Sequence, residues 1–242
     1  MILMQHTQRD YDIRLEWGGY GIDCLGPDAD VLVLIDTLSF TTCVDVVVSH
    51  GATVFPFVWR DQRAQQYAAQ KQALLAVSRS MSSDGYSLSP ASLINIPVNT
   101  RLVLPSPNGS TLTMQASQYC PVVAASLRNV GAVAQWLQRH YRRISIIPSG
   151  ERWPDNSLRP AIEDWLVAGA LVQQLTGKKS TEAHLAEISF SHCRDVAMAI
   201  RHCSSGVELI EAGYAQDVEI ASAMNVSRCV PILQQDCFVH AG

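Results

Sequence analysis

The run VLVLID at residues 31–36 places five consecutive apolar residues in front of a carboxylate. A short, continuous apolar run of this kind is typical of a β-strand that helices cover on both faces. Similar runs recur along the chain as TVFPF, RLVLP, PVVAAS and RISIIP. Between them, three stretches predict helices: TTCVDVVVSHG, which closes on Gly51, DQRAQQYAAQKQALLAVSR, and NVGAVAQWLQRHY. The alternation predicts an α/β protein with parallel strands at the centre of its sheet.

The two ends of the chain differ from this central pattern. YDIRLEW at 11–17 alternates strictly between apolar and polar residues, which predicts a half-exposed strand at a sheet edge. Residues 160–225 contain successive helical candidates, and CVPILQQDCFVHA at the end predicts a hairpin. We therefore expect a single α/β domain over residues 1–242. It would be a three-layer α/β/α structure with a mixed, mostly parallel sheet and a helical C-terminal section.

Composition and charge narrow the function classes. The net charge is -4 and the 18 basic residues are scattered, so no footprint for nucleic acid is visible. The longest apolar runs are far shorter than the roughly 20 residues that cross a bilayer, and the N-terminus does not resemble a secretory signal. The 7 cysteines are an odd count without a CxxC pair, which argues against a zinc site or a disulfide framework. We expect a cytoplasmic protein that binds a small molecule.

Polar clusters follow three of the predicted strands. Ligands of open α/β sheets bind beyond the carboxyl ends of the strands, so the ends of VLVLI, RLVLP and SIIP define one expected edge. After VLVLI come Asp36, Ser39 and Thr41. A carboxylate there either caps the next helix or serves as a magnesium ligand or a nucleophile. Residue types alone leave both readings open.

The second and third clusters suit an anion. SPNGST at 106–111 either turns the chain and caps a helix, or holds an oxyanion on free N–H groups at the helix N-terminus. The third cluster, SGERWPDNSLRPAIEDW at 149–165, places Glu163 and Asp164 in a first helical turn, where the helix dipole alone favours them. Arg152 and Arg159 precede that turn. Carboxylates for a hard cation, together with Arg and N–H donors for an oxyanion, are what phosphoryl transfer needs.

At these residues the chain resembles the 2-phosphosulfolactate phosphatase family, magnesium-dependent acid phosphatases associated with coenzyme M and sulfolactate metabolism. IDTLSFTT is similar to the family's Asp-Val-Leu-Arg-Ala-Ser/Thr-Thr segment, and SPNGST is similar to its Thr-Asn-Gly-Thr loop. The likeness continues through SLRNVGA at 126–132 and SGERWPDNSLRPAIEDWLVAGAL, and it extends into the tail SSGVELIEAGYAQDVEIASAMNVSRCVPIL.

The resemblance implies a magnesium-dependent hydrolase of a small acidic phosphomonoester. It makes Asp36, Glu163 and Asp164 the candidates for Mg²⁺ coordination or for positioning the attacking water. The candidate residues for binding the small anionic substrate are Ser39, Thr41, Arg79, Asn108, Gly109, Ser110, Thr111, Arg152 and Arg159.

Two departures from the family pattern suggest an alternative. Ser39 stands where the family has Arg, with Phe40 in place of a small residue, and Ser78 falls where the family has Glu, beside a retained Arg79. A serine cannot form the two-pronged contact that Arg makes with phosphate. The alternative is a catalytically weakened member that binds an anionic metabolite or a protein partner. The edge strand YDIRLEW also offers a route to a homodimer, and the serine-rich segment 78–92 is predicted to be a mobile loop or a cover over the site.

Overall fold

The structure is a computed structural model that describes residues 4–58, 61–79 and 85–242. Each of the five continuous apolar runs forms a strand, as predicted. The strands are β1 (Ile13–Leu15), β2 (Val31–Ile35), β3 (Thr53–Phe57), β4 (Leu74–Leu75), β5 (Arg101–Pro105), β6 (Val122–Ala125), β7 (Ile144–Pro148), β8 (Glu151–Arg152), β9 (Leu158–Arg159), β10 (Pro231–Gln234) and β11 (Cys237–His240). The α-helices are α1 (Gly18–Leu25), α2 (Phe40–Ser49), α3 (Gln62–Lys71), α4 (Pro90–Leu93), α5 (Gly109–Ala116), α6 (Val130–His140), α7 (Ile162–Gln174), α8 (Thr181–His192), α9 (Val196–His202), α10 (Ser204–Glu211) and α11 (Ala215–Ser222).

One nine-stranded sheet runs through the chain in the order β1-β7-β2-β6-β10-β11-β3-β5-β4. Its pairings are parallel except for the three that involve β10 and β11. Because these three antiparallel steps separate β6 from β3, the strands β3, β5 and β4 run opposite to β1, β7, β2 and β6. The expected mixed, mostly parallel sheet is confirmed, and β8 and β9 form a separate short hairpin.

Helices cover both faces of the sheet because alternate side chains of each central strand point to opposite sides. On one face, Val31, Val33 and Ile35 of β2 pack with α6 through α9 and α11. On the other face, Leu32 and Leu34 pack with α1, α2, α4 and α5. These two cores give the three layers that the alternation of elements predicts.

The C-terminal part confirms two expectations and adds one surprise. Helices α7 to α11 form the predicted helical section, and β10 and β11 form the predicted terminal hairpin. The hairpin lies in the middle of the sheet, where Ile232 pairs with Val123 of β6 and Phe238 pairs with Val54 of β3. The last strands therefore join the two parallel halves of the sheet.

The expectation of a half-exposed strand at 11–17 is wrong in its exposure, although β1 does lie at the sheet edge. Arg14 is fully buried like its apolar neighbours and donates to the carbonyl oxygens of Thr7 and Leu25. The outer side of β1 is also taken, since Ile13 N–H donates to the Lys178 carbonyl and the Ile13 carbonyl accepts from Ser180 N–H. Pairing with a second copy through this edge would have to break those bonds. A homodimer itself stays a prediction.

The helix predicted over 61–79 is shorter than expected. Helix α3 ends at Lys71, Gln72 takes a left-handed conformation, and Leu74–Leu75 then pairs with β5. The apolar segment at Leu74–Leu75 continues the helical pattern in sequence, but it forms an edge strand in the structure.

Residues 80–84 of the serine-rich segment lie outside the residues that the structure describes. The prediction that this segment is mobile or covers the site therefore stays a prediction.

No helix in the described ranges combines the length and the apolar character that a membrane crossing requires.

Candidate active site

The three polar clusters meet at one place, as the sequence predicted. Thr37 N–H, after β2, donates to Asp164 Oδ1 at 2.8 Å, and Gly150 N–H, after β7, donates to Asp164 Oδ2 at 2.9 Å. Asn108, at the start of α5, donates through Nδ2 to Glu151 Oε2 at 3.0 Å. The loop after β5 thus joins the carboxyl ends of β2 and β7, although β5 itself belongs to the half of the sheet with the opposite direction.

Asp164 ties the first and third clusters together. Its side chain is 3% exposed, and each carboxylate oxygen accepts one main-chain N–H from a different loop. Burial and the neighbouring charges of Glu163 and Asp36 raise its pKa, while the two N–H donors act in the opposite direction. This geometry gives Asp164 a structural task at the site, beside the metal or catalytic role that the resemblance implies.

Asp36 ends β2 and is held by main-chain N–H groups. Its Oδ1 accepts from Phe40 N–H at 3.1 Å, and the N–H group of Gly109 also acts to lower the pKa of its carboxylate. Asp36 therefore caps the first turn of α2, which is one of the roles that the sequence left open for it. Burial, together with the charge of Glu163, nevertheless raises the Asp36 pKa to about 6 despite these donors. Thr41 completes the turn by accepting from Asp36 N–H and donating to the Asp36 carbonyl, so its hydroxyl is committed to the backbone.

Glu163 is 2% exposed and faces a cysteine that the sequence analysis did not assign to the site. Cys203 Sγ, at the N-terminus of α10, donates to Glu163 Oε2 at 3.1 Å. Burial and the Glu163 charge raise the pKa of the Cys203 thiol to about 12, so the thiol stays protonated and acts as a donor. One oxygen of Glu163 is thereby oriented by a neutral group.

Glu151 is a fourth carboxylate of the site that the sequence analysis placed in the charged loop without assigning it a role. Burial and the charges of Asp36 and Glu163 raise its pKa to about 8, and Arg159 opposes that rise. The signal in the sequence was its position directly after the Ser149-Gly150 turn that follows β7. The effect of Asp36 and Glu163 on the Glu151 pKa places Glu151 within electrostatic reach of both carboxylates.

The SPNGST segment begins a helix, as expected, but its side chains do not make a simple cap. Asn108 occupies the cap position without capping α5, because its side chain reaches Glu151 instead. Ser110 Oγ donates to the Leu104 carbonyl and Thr111 Oγ1 donates to the Pro107 carbonyl. The hydroxyls of this segment are thus used within the loop, and main-chain N–H groups of the first helical turn remain its means of holding an anion.

Three arginines predicted to bind substrate lie around these carboxylates. Arg152 donates to the Asn156 carbonyl at the exposed end of the β8–β9 hairpin. Arg159 donates to Ser205 Oγ at 3.3 Å and stacks 5.8 Å from the Trp153 ring. Arg79 donates to Ser39 Oγ at 2.6 Å, so these two candidate substrate-binding residues lie together.

Two open clefts flank the β8–β9 hairpin. One, of about 600 Å³, is lined by Asn108, Thr111, Glu151 and Arg152 among others. The second, of about 710 Å³, shares Asn108 and Arg152 and extends to the N-terminus of α1 at Gly18. A small organic phosphate is well within these volumes, and Asn108 and Arg152 line both clefts.

The donor atoms at the site suit a hard cation in part. Carboxylate oxygens are the ligands that Mg²⁺ prefers, and Mg²⁺ commonly uses only one or two of them together with water and substrate phosphate. Within residues 4–58, 61–79 and 85–242, no three His, Cys, Asp or Glu side chains are arranged to hold a metal ion by themselves. Asp36 and Glu163 are both buried, and the charge of Glu163 raises the pKa of Asp36, so the pair fits a site that substrate completes.

Comparison with known sequences identifies the family. The sequence profile of the 2-phosphosulpholactate phosphatase family matches residues 26–236. A probable 2-phosphosulfolactate phosphatase of Gloeobacter violaceus is 27% identical over 213 residues, which cover 84% of this chain and 87% of the relative. One from Thermotoga maritima is 23% identical over 220 residues, covering 89% and 94%. The 2-phosphosulfolactate phosphatase of Methanothermobacter thermautotrophicus is 24% identical over 206 residues, covering 83% and 85%.

The fold defines an α/β protein with a group of buried acidic residues at the ends of its central strands. Because the family profile covers most of the chain, the protein belongs to the 2-phosphosulpholactate phosphatase family.

Proposed function

We propose that this protein is a magnesium-dependent phosphatase that hydrolyses a small acidic phosphomonoester resembling 2-phosphosulfolactate. The observation that carries the proposal is the meeting of Asp36, Glu163 and the N-terminus of α5, where Gly109 lies against Phe40, the residue whose N–H donates to the Asp36 carboxylate. Carboxylates beside unspent helix N-terminal N–H groups suit a phosphoryl group and its metal ion. Membership of a phosphatase family supports the same chemistry.

The chain's own residues would bind and orient the phosphoryl group. The first N–H groups of α5 hold its oxygens, and Asn108 fixes Glu151 beside it. Asp164 keeps the loops after β2 and β7 in register. Asp36 and Glu163 divide two tasks between them: holding Mg²⁺ and positioning the water that attacks in line. Bound Mg²⁺ would neutralise charge on the phosphoryl oxygens.

The test is the release of inorganic phosphate from phosphosulfolactate and phospholactate, with and without Mg²⁺, by wild type, Asp36→Asn and Glu163→Gln. Glu211→Gln, on the exposed surface of α10, is the matched control and should behave as wild type. We expect Mg²⁺-dependent release that both active-site changes abolish. Substitution of a residue that binds the metal should raise the Mg²⁺ concentration needed for half-maximal rate. Substitution of a residue that positions water should lower kcat alone.

The opposite result is equally clear. If clean wild-type protein releases no phosphate from any ester of a broad panel with Mg²⁺, Mn²⁺ or Co²⁺, the phosphatase proposal fails. Thermal stabilisation by the same esters without turnover would then favour a member that only binds an anionic metabolite.

For the compartment, we propose the cytoplasm. All seven cysteines are free thiols, and six of them have pKa values raised mainly by burial, as expected of unreactive cysteines: Cys24, Cys43, Cys120, Cys203, Cys229 and Cys237. Localising the tagged protein in its own cells would test this.

A further inference from the structure

Ser39, which stands where the family has an arginine, is in contact with a guanidinium from elsewhere in the chain. Arg79 Nη2 donates to Ser39 Oγ at 2.6 Å, and the two residues are 40 positions apart in sequence. Ser39 is 3% exposed and precedes Phe40, whose N–H donates to the Asp36 carboxylate. The Arg79 guanidinium therefore reaches the loop that carries the central carboxylate.

A buried carboxylate on α11 holds this arginine. Arg79 Nε donates to Asp217 Oδ2 at 3.2 Å, and the Asp217 side chain is 1% exposed. The other Asp217 oxygen accepts from Ser89 Oγ and from Ala91 N–H. The ring of Tyr214 lies 5.4 Å from the guanidinium carbon. Asp217 is thus fixed from a second loop, and it fixes the direction of Arg79 in turn.

Some N–H donors of Arg79 meet no acceptor among the residues that the structure describes. Arg79 has five N–H groups in a planar fork. In the described part of the chain, one meets Asp217, one meets Ser39, and the others meet no acceptor. The Arg79 side chain is 21% exposed, so its charge is open to a ligand on one side. Its positive charge also acts on Asp36, which places it within electrostatic reach of the site.

We propose that Arg79 supplies, at Ser39, the guanidinium that binds an oxyanion of the substrate, and that Asp217 is the positioning residue that orients it. The inference rests on the proposed function and deepens it, because it assigns the charge that Ser39 cannot carry. The oxyanion belongs either to the phosphoryl group or to the second acid group of the ester. Both offer two oxygen atoms that can accept from the N–H groups of one guanidinium.

Three variants test the arrangement: Arg79→Lys, Asp217→Asn and Asp217→Glu. Arg201→Lys, at an exposed ion pair on α9, is the matched control. We expect Arg79→Lys to lower kcat/KM about 10- to 100-fold, the loss expected for one charge-assisted hydrogen bond. Asp217→Asn should raise KM more than it lowers kcat, and Asp217→Glu should restore part of the affinity. A Ser39→Arg change in an Arg79→Ala background should recover activity relative to Arg79→Ala alone.

The substrate arms locate the oxyanion. A loss on phospholactate but not on ethyl phosphate assigns Arg79 to the acid group, and an equal loss on both assigns it to the phosphoryl group. Wild-type KM values for both Arg79→Lys and Asp217→Asn, in variants whose circular dichroism shows them folded, would overturn the proposal.

Binding of inorganic phosphate, measured by calorimetry, separates this proposal from the proposed function. If wild type hydrolyses no ester but binds phosphate, weaker binding of phosphate or of phospholactate by Arg79→Lys still supports the arginine site, and unchanged binding of both ligands overturns it. If wild type neither hydrolyses esters nor binds phosphate, both proposals are wrong.

Discussion

Phe40 lies directly against Gly109, so that a Cβ on Gly109 would sit 2.3 Å from Phe40 Cδ1. Phe40 is fully buried and packs edge-on against Phe238 of the last strand, with ring centroids 6.2 Å apart. The large residue at position 40, a departure from the family pattern, thus fills the space between α5 and the inserted C-terminal hairpin. Close approach of α5 to the Asp36 loop depends on the missing side chain at 109.

Gly109→Ala should therefore destabilise the protein by about 1–3 kcal/mol, because an added methyl group overpacks a filled core. Phosphate binding should weaken as well, since α5 must move away from Asp36. Urea unfolding and phosphate calorimetry measure the two effects. Gly85→Ala, where among the described residues an added Cβ meets only Val77 Cγ2, at 3.9 Å, should change neither. An unchanged midpoint for Gly109→Ala would show that Phe40 yields without cost.

Phe238→Ala tests whether the C-terminal hairpin is an integral part of the sheet. Phe238 is fully buried between β3 and α2, and removing it should cost about 3–5 kcal/mol. The neighbouring Val239→Ala, at a half-buried position, should cost clearly less. Equal unfolding midpoints for the two variants would contradict the central placement of β11.

Asp164→Asn separates structure from chemistry at the first turn of α7. An amide can accept from Thr37 or from Gly150, but its NH₂ group must face the other N–H, which leaves that buried donor unpaired at about 1–3 kcal/mol. We expect a lower unfolding midpoint by differential scanning calorimetry. The control Asp155→Asn changes an exposed carboxylate and should have little effect. A stable but inactive Asp164→Asn would instead assign Asp164 to the reaction itself.

Glu151→Gln should change how stability depends on pH. The Glu151 pKa rises from 4.5 to about 8 in the folded state, so the folded protein holds a proton that the unfolded chain has released. Wild-type stability from this group therefore falls as pH rises between these values, and no further loss follows above about pH 8. Glutamine carries no such charge. In metal-free buffer, the unfolding free energy of Glu151→Gln should rise relative to that of wild type between pH 5 and pH 9.

The control for that measurement is Glu211→Gln, which removes an exposed carboxylate from α10. Its unfolding free energy should follow wild type at every pH. Parallel curves for Glu151→Gln and wild type would mean that Glu151 is not buried beside the other carboxylates.

Mg²⁺ should raise the melting temperature of wild type, because an ion that binds only the folded state stabilises it by mass action. The variant that removes the Mg²⁺ ligand, Asp36→Asn or Glu163→Gln, should lose most of that shift, while each apo variant is at least as stable as apo wild type once a buried charge is gone. Differential scanning fluorimetry over a Mg²⁺ series measures this. Equal Mg²⁺ shifts in wild type and both variants would place the ion elsewhere.

Local pattern was enough to predict the strands, the C-terminal helices and the terminal hairpin, because continuous apolar runs and helical spacing report how each segment is buried. The same reasoning brought Asp36 and Glu163 to one site, since the carboxyl ends of the parallel strands β2 and β7 meet at one edge. Asn108 reaches that site although β5 runs in the opposite direction, which the sequence did not predict. Pattern failed at Arg14, where alternation suggested exposure, because the residues that cover β1 are distant in sequence.

Only the tertiary structure decided which strands are neighbours and which side chains complete the site. The last hairpin lies at the centre of the sheet, and nothing in its own residues states that it pairs with β3 and β6. Asp217 meets Arg79 across 138 positions, and Arg79 meets Ser39 across 40. Such contacts depend on the closure of the whole chain around its two cores, whereas local sequence specifies only what each segment buries.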